Sequence, residues 1–262
     1  MLVPQNAAQA RRAASVGQSG EASPDTQLFE LYCKHWPEFG ALLPTGAGFS
    51  VPLLCGVTSA YLRSPVRLVV VGQQTRHWLR EPELMGPWSK AHFFPRTDAP
   101  KVIQKLMLLY ALFLASGLDK GRGFFRAARQ IQRAVDLSSG TGDAFLWRNL
   151  FICDQNGREP AEEYHDRLRK LSPLAAELRI LHPHVVVFMT GQRFDFTLRA
   201  ALGQDALSAY SAKYEERYLA RVTIPQSSAI GLRIPHPRNP RHATWVREAI
   251  KVIECELKAR LD

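Results

Sequence analysis

Two segments of the chain are almost unbroken runs of β-branched and apolar residues. Arg67 to Gly72 reads Arg-Leu-Val-Val-Val-Gly, and His184 to Gly191 reads His-Val-Val-Val-Phe-Met-Thr-Gly. Strands of this kind have no polar face to offer to water, so both faces must be covered, a demand that a parallel sheet flanked by helices meets. Two further β-rich runs follow the same logic, Trp147 to Cys153 (Trp-Arg-Asn-Leu-Phe-Ile-Cys) and Ala229 to Ile234 (Ala-Ile-Gly-Leu-Arg-Ile). Helical patterns separate them. Lys101 to Ser116 is strongly apolar, Ala161 to Leu181 carries Leu168, Leu171, Leu174, Leu178 and Leu181 at helical spacing, and Thr244 to Arg260 sets Trp245, Ala249, Val252, Ile253 and Leu257 on one face. Alternation of this kind predicts an α/β domain with a parallel sheet.

No repeat and no internal linker divides the pattern, so residues 27–262 are expected to form a single domain. Residues 1–26 are rich in Ala, Gln, Ser and Gly and lack aromatic residues, and they are read as a flexible tail that cannot bury enough surface to offset ordering. Within it Arg11 and Arg12 suit contact with a nucleic-acid backbone, a weak targeting peptide or an extension of no importance. With 46% hydrophobic residues a substantial core is within reach, which excludes a largely disordered chain. No apolar run approaches the roughly 20 residues that cross a bilayer, and the first 30 residues lack the apolar stretch of a secretory signal, so a cytoplasmic protein without membrane contact is expected. Cys33, Cys55, Cys153 and Cys255 form no CxxC pair, which signals neither a disulfide framework nor a zinc site. His182 and His184 flank Pro183 and lack a third ligand, so no metal is expected. Lys and Arg number 34 against 24 Asp and Glu, and the resulting +10 points to a polyanionic partner.

In an open parallel sheet, ligands bind beyond the carboxyl ends of the strands. The polar residues of this chain gather there. After the first run come Gly72, Gln73, Gln74, Thr75, Arg76, His77 and Trp78; the second contains Asn149; the fourth leads into Pro235, His236, Pro237, Arg238, Asn239, Pro240, Arg241 and His242.

In order and type these residues resemble the uracil-DNA glycosylase superfamily, over most of the chain from Arg67 to Leu257. Gly72 to His77 is similar to the family's water-activating motif Gly-Gln-Asp-Pro-Tyr-His, matching at Gly72, Gln73 and His77. Phe93 and Phe94 fall where the family stacks an aromatic on the extruded base. Asn149 matches the strand asparagine that reads the base's Watson–Crick edge. His236 to Pro240 resembles the His-Pro-Ser-Pro motif and its intercalating loop, and is closest to the form found in the single-strand-selective monofunctional branch. The stretch from Asn149 to Gly191 also resembles the iron–sulfur branch. Cys153 matches one cluster ligand there, but Arg169 and Trp36 stand at positions suited to others, so no cluster and no other cofactor is expected.

The resemblance implies a three-layer α/β/α fold around a mostly parallel four-stranded sheet, and a monomeric, monofunctional DNA glycosylase. Breaking an N-glycosidic bond develops an oxocarbenium-like sugar and an anionic base, and the nucleotide must first leave the stack. On this reading His236 donates to the leaving base, Asn149 pairs with its edge, Phe93 or Phe94 stacks on its face, and Gln73 and His77 help to hold it. Arg238, Asn239 and Arg241 contact the DNA, and with Arg233 and Arg247 they make up a cationic cluster that is either the DNA-facing rim or a solvated face.

Two departures carry weight. Gln74 replaces the family's carboxylate and can only orient water, as the neutral asparagine of the monofunctional branch does, unless Glu81, Asp98 or Asp154 reaches the sugar. Arg76 replaces the tyrosine that excludes a substituent at the pyrimidine 5-position, and its five donors suit an oxygen-rich group. A C5-modified pyrimidine, such as the glucosylated hydroxymethylcytosine of phage DNA, is therefore the expected substrate, in the manner of antiphage members of the superfamily. Uracil repair and a non-catalytic DNA-binding module are the alternatives. Each site residue also has a structural reading: His236 as a turn cap, Asn149 bonded to nearby backbone, Phe93 and Phe94 in the core, Arg76 and Arg80 as surface charges.

Overall fold

The computed structural model describes residues 22–42, 48–75, 98–116, 123–135, 143–171 and 173–260. Along them run α1 (Pro24–Leu42), α2 (Ser59–Arg63), β1 (Leu68–Gly72), α3 (Ala99–Ser116), α4 (Gly123–Val135), β2 (Leu146–Asn149), α5 (His165–Leu171), α6 (Leu174–Leu181), β3 (Val185–Phe188), α7 (Asp195–Leu202), β4 (Leu207–Ala209), β5 (Ala220–Val222), β6 (Ile230–Arg233) and α8 (His242–Lys258). The four β-rich runs become β1, β2, β3 and β6, every residue of which is buried. They lie side by side in the order β2-β1-β3-β6, all parallel.

The sheet is larger than the expected four strands and is mixed. β5 pairs antiparallel with β6, and β4 antiparallel with β5, giving six strands in the order β2-β1-β3-β6-β5-β4. These two added strands have three residues each. Ser208, Ala209 and Arg221 among them are exposed, so neither strand presents an apolar run that the sequence could reveal. The expected helix over Ala161 to Leu181 is also broken, into a single 3₁₀ turn, α5 and α6, with Pro173 between the two helices. Proline has no N–H to donate and disfavours helical backbone in the residue before it. α1 begins at Pro24, within the segment read as a tail, and Asp25 on its first turn accepts a hydrogen bond from the Val57 amide at 2.9 Å.

Helices pack against both faces of the sheet. On one face, Trp147 of β2 meets Phe113 of α3 and Phe125 of α4 at ring-centroid distances of 5.5 and 5.3 Å. On the other, the register aligns Arg148, Val71, Phe188 and Arg233 in one row across the four parallel strands. The two arginines at its ends are buried. Arg148 forms a two-pronged ion pair with Glu177 of α6, one prong running from Nη2 to Oε1 at 2.8 Å. Arg233 donates to Asp195 Oδ2 at the start of α7 and to the carbonyls of Glu216 and Arg217, each at 2.8 Å. Arg233 therefore does not belong to the exposed cationic cluster.

The outer edge of β2 is closed by one hydroxyl. Tyr110 of α3 donates to the Trp147 carbonyl at 2.9 Å and accepts from the Trp147 amide at 2.8 Å, which satisfies backbone groups that an edge strand would otherwise leave open. Among the described residues, no helix is long and apolar enough to cross a membrane.

The Arg148–Glu177 pair ties β2 to α6 with both side chains 1% exposed. Removing one partner strands the other charge in the core, at a cost of about 3–5 kcal/mol, whereas an apolar pair of similar volume leaves none. Glu177→Ala is expected to lower the unfolding free energy by about that amount in urea titrations, and the double change Arg148→Met with Glu177→Leu by clearly less.

Candidate active site

The carboxyl ends of the parallel strands are fastened to one another beyond the regular ladder. Gly72 pairs with Asn149 in the register, the Gly72 carbonyl accepts from the Leu150 amide and the Gln73 carbonyl from the Phe151 amide, both at 2.9 Å. On the other side of β1, the Gln73 side-chain amide donates to the Thr190 carbonyl at 2.7 Å, which bridges the ends of β1 and β3. The Gly191 amide then donates to the Ile234 carbonyl at 3.0 Å and joins β3 to the segment after β6. Gln73, Asn149, Thr190 and His236 are thereby placed along one sheet edge.

Asn149 is 1% exposed, and its Oδ1 accepts from the Trp147 indole Nε1–H at 3.0 Å. Its Nδ2 has no hydrogen-bond partner. The same holds for Gln74 Oε1 and for Thr190 Oγ1. Each unmet buried polar atom costs about 1–3 kcal/mol, and these three stand at the carboxyl ends of β1, β2 and β3. Outside this edge, Asp195 Oδ1 and Arg233 Nε are unmet beside their own ion pair, and His242 Nε2 and Trp245 Nε1 are unmet on α8.

Gly72 permits this arrangement. A Cβ built on it would lie 2.4 Å from Asn149 Oδ1 and 3.1 Å from Phe124 Cε2, so any larger residue would displace the asparagine. Phe124, half-buried on the first turn of α4, thus stands beside Gly72 and Asn149. The preceding Gly123 touches the loop after β6, since its built Cβ falls 3.4 Å from Pro237 Cβ. The amino end of α4 therefore spans the gap between Asn149 and the His236 loop.

That loop is held by its own hydrogen bonds. The Arg238 amide donates to His236 Nδ1 at 3.2 Å, which leaves Nε2 as the protonated ring nitrogen. Asn239 shapes the turn: its amide donates to the His236 carbonyl, and its Oδ1 and carbonyl accept from the Arg241 and His242 amides, at 2.8, 2.8 and 2.9 Å. Asn239 Oδ1 is thereby engaged in the turn that starts α8. Arg238 and Arg241 are exposed and form no ion pair with the described residues. His242 closes the loop by donating from Nδ1 to the Pro235 carbonyl at 2.7 Å.

Of the carboxylates considered for water activation, Asp154 is occupied. Buried at 2% exposure, it accepts from Thr75 Oγ1 at 2.8 Å and from the Gly157 amide at 2.6 Å. Asp98 pairs with Lys101 at 2.7 Å on the solvent side of the α3 amino end. Arg76, His77, Arg80, Glu81, Phe93 and Phe94 lie outside the described residues, as does the tail through Glu21. His184 accepts from the Arg67 amide through Nδ1 at 3.0 Å, in keeping with a loop role, and no cluster of potential metal ligands occurs among the described residues.

Three residues were not singled out by sequence. Thr190 follows an apolar run and looks like its last residue, Phe124 sits in a Phe pair with no motif around it, and Trp147 reads as a core residue of its strand. Compared with known proteins, the chain matches no family model, and no curated protein is significantly similar to it.

Burial holds the pKa of His242 below its ordinary value, against a smaller upward push from its bond to Pro235. Burial, with Arg67 and Arg260 nearby, does the same to His184. Above about pH 6.5 both histidines are neutral folded or unfolded; below it, the unfolded chain takes up protons that the folded one refuses. Stability is therefore expected to fall as pH drops from about 6.5 toward the lowered folded values. Urea titrations at stepped pH should show a shallower decline for His242→Asn, whose amide keeps an N–H near the Nδ1 position.

Proposed function

We propose that the chain is a monofunctional DNA glycosylase that flips out a base and hydrolyses its N-glycosidic bond, acting on a C5-modified pyrimidine such as the glucosylated hydroxymethylcytosine of phage DNA. The observation that carries this reading is the set of unmet polar atoms on Asn149, Gln74 and Thr190, which lies on the same strand edge as a histidine protonated at Nε2. A heterocycle with ring nitrogens and exocyclic oxygen or nitrogen supplies partners for donors and acceptors of this kind. Helices on both faces of the sheet support reading the fold as the three-layer arrangement of the uracil-DNA glycosylase superfamily.

Each residue then has a task. His236 donates from Nε2 to the carbonyl oxygen of the departing base and stabilises the charge that develops there. Gln74 orients water by its amide, because the nearby Asp154 already serves Thr75 and Gly157. Phe124 offers a ring beside Gly72 and Asn149, and shares with Phe93 and Phe94 the role of packing on the base. Arg238 and Arg241, exposed next to His236, meet phosphates, and Arg76 meets the 5-substituent. A monomer in the cytoplasm, with DNA as its partner, fits this chemistry.

One observation favours a second reading, a DNA-binding module without catalysis: neither described carboxylate considered for water activation is available to act as a base. The two readings separate on a panel of oligonucleotides carrying uracil, thymine mismatches, hydroxymethylcytosine or its glucosylated form, scored for abasic sites by alkaline cleavage. The glycosylase reading predicts cleavage at the modified cytosines, and loss of at least about 100-fold in rate for His236→Ala with DNA binding kept. Cleavage of uracil alone would transfer the assignment to repair. No cleavage of any substrate by the parent chain would leave the binding module.

A further inference from the structure

We propose that Trp147 sets the hydrogen-bonding sense of Asn149, so that this residue meets a base only as a donor and the site takes a cytosine-type edge in preference to a uracil-type edge. The inference rests on the base-binding site proposed above and goes on to name the edge it accepts.

A free asparagine amide is ambivalent: its oxygen accepts, its nitrogen donates, and a half-turn exchanges them. In this chain the ambivalence is removed. The Trp147 indole can only donate, and it donates to Asn149 Oδ1 at 3.0 Å, which assigns the oxygen to that side. The oxygen sits in space that the missing side chain of Gly72 leaves open, and the Phe124 ring borders the same space. Nδ2 is left as the buried, unpartnered end of the side chain.

The indole itself cannot turn away. Phe113, Phe124 and Phe125 surround it at centroid distances of 5.5, 6.4 and 5.3 Å, and the Tyr110 hydroxyl holds both the amide and the carbonyl of Trp147. Trp147 is therefore a positioning residue, with no contact of its own to the base.

Base edges differ in what they show to such a donor. N3 of cytosine is an unprotonated acceptor and completes a bond with Nδ2. N3 of uracil carries hydrogen and finds no acceptor on this side chain, so even when O4 takes the Nδ2 bond the N3–H is left unmatched.

The test compares 5-hydroxymethylcytosine with 5-hydroxymethyluracil, which share the 5-substituent and differ at the edge. Each is placed in a single-stranded oligonucleotide as its hydrolysis-resistant 2′-fluoroarabino nucleotide, beside a tetrahydrofuran abasic control, and affinities are read by fluorescence anisotropy. The parent chain is expected to bind the cytosine form about 10-fold more tightly than the uracil form. Trp147→Phe, which lacks the N–H, should bring that ratio near one while leaving affinity for the abasic control unchanged. Trp147→His should retain the preference, because imidazole Nε2 occupies the ring position of indole Nε1. A parent that discriminates and a Trp147→Phe variant with the same ratio overturn the inference alone. A parent that binds both bases and the abasic control alike overturns the base-binding reading and this inference with it. Should both variants fail to fold, the parent ratio decides: equal binding of the two bases, or preference for the uracil form, overturns the inference.

Discussion

The absence of a side chain at Gly72 is the constraint on which the strand-end geometry depends. β1 is flanked by β2 on one side and β3 on the other, so its last residue stands among neighbours with no room to yield. Because that residue is glycine, the oxygen of Asn149 occupies space that any other side chain would claim, and the Phe124 ring closes over the same place. With the oxygen seated there and bound by Trp147, the amide nitrogen is the end without a partner. The position of one glycine thus propagates into the hydrogen-bonding sense of a buried amide on the adjacent strand.

A second organising feature is the division of the basic residues. A net charge of +10 suggests a polyanionic partner, yet two arginines of the β-rich runs are spent inside the molecule. Arg148 and Arg233 end one row on one face of the sheet, each answered by a carboxylate from a helix, Glu177 and Asp195. Burying such charges stabilises little by itself, and each pair ties its helix to a strand of the sheet. Arg238 and Arg241 remain outside, on a loop whose shape comes from Asn239 and His242. Two exposed cations are thereby held on the same loop as His236.

How much of this was legible in the sequence follows from the scale of each interaction. The runs around Val69, Val186 and Ile230 announce buried strands, because a continuous apolar segment bounded by polar turns leaves few alternatives. β4 and β5 escaped, since three residues with one or two facing solvent carry no period. The break at Pro173 was visible as a proline, but the leucine spacing on either side, which both helices share, concealed it. Among the candidate site residues, Gln73, Gln74, Asn149 and His236 stand out in the sequence by type and by place at or after the end of a β-rich run. Trp147, Thr190 and Phe124 were not, for their importance lies in a bond to Asn149, an unmet hydroxyl and a contact across Gly72. Pairings of that kind exist only once β1, β2 and β3 are in register. Arg233 looks like one more surface cation in the sequence, because its partners Asp195, Glu216 and Arg217 are distant along the chain.

On the proposed reading, the strand ends carrying Asn149, Gln74 and Thr190 receive a base lifted out of DNA. The side-chain amide protons of Asn149 report on it directly in nitrogen-15 correlated NMR spectra. During titration with an oligonucleotide carrying hydrolysis-resistant glucosylated hydroxymethylcytosine, a marked downfield shift of one Asn149 Nδ2 proton and its protection from solvent exchange are expected, with no such change for a tetrahydrofuran strand. Shifts confined to the exposed arginines, with the Asn149 amide unmoved at saturation, would contradict it.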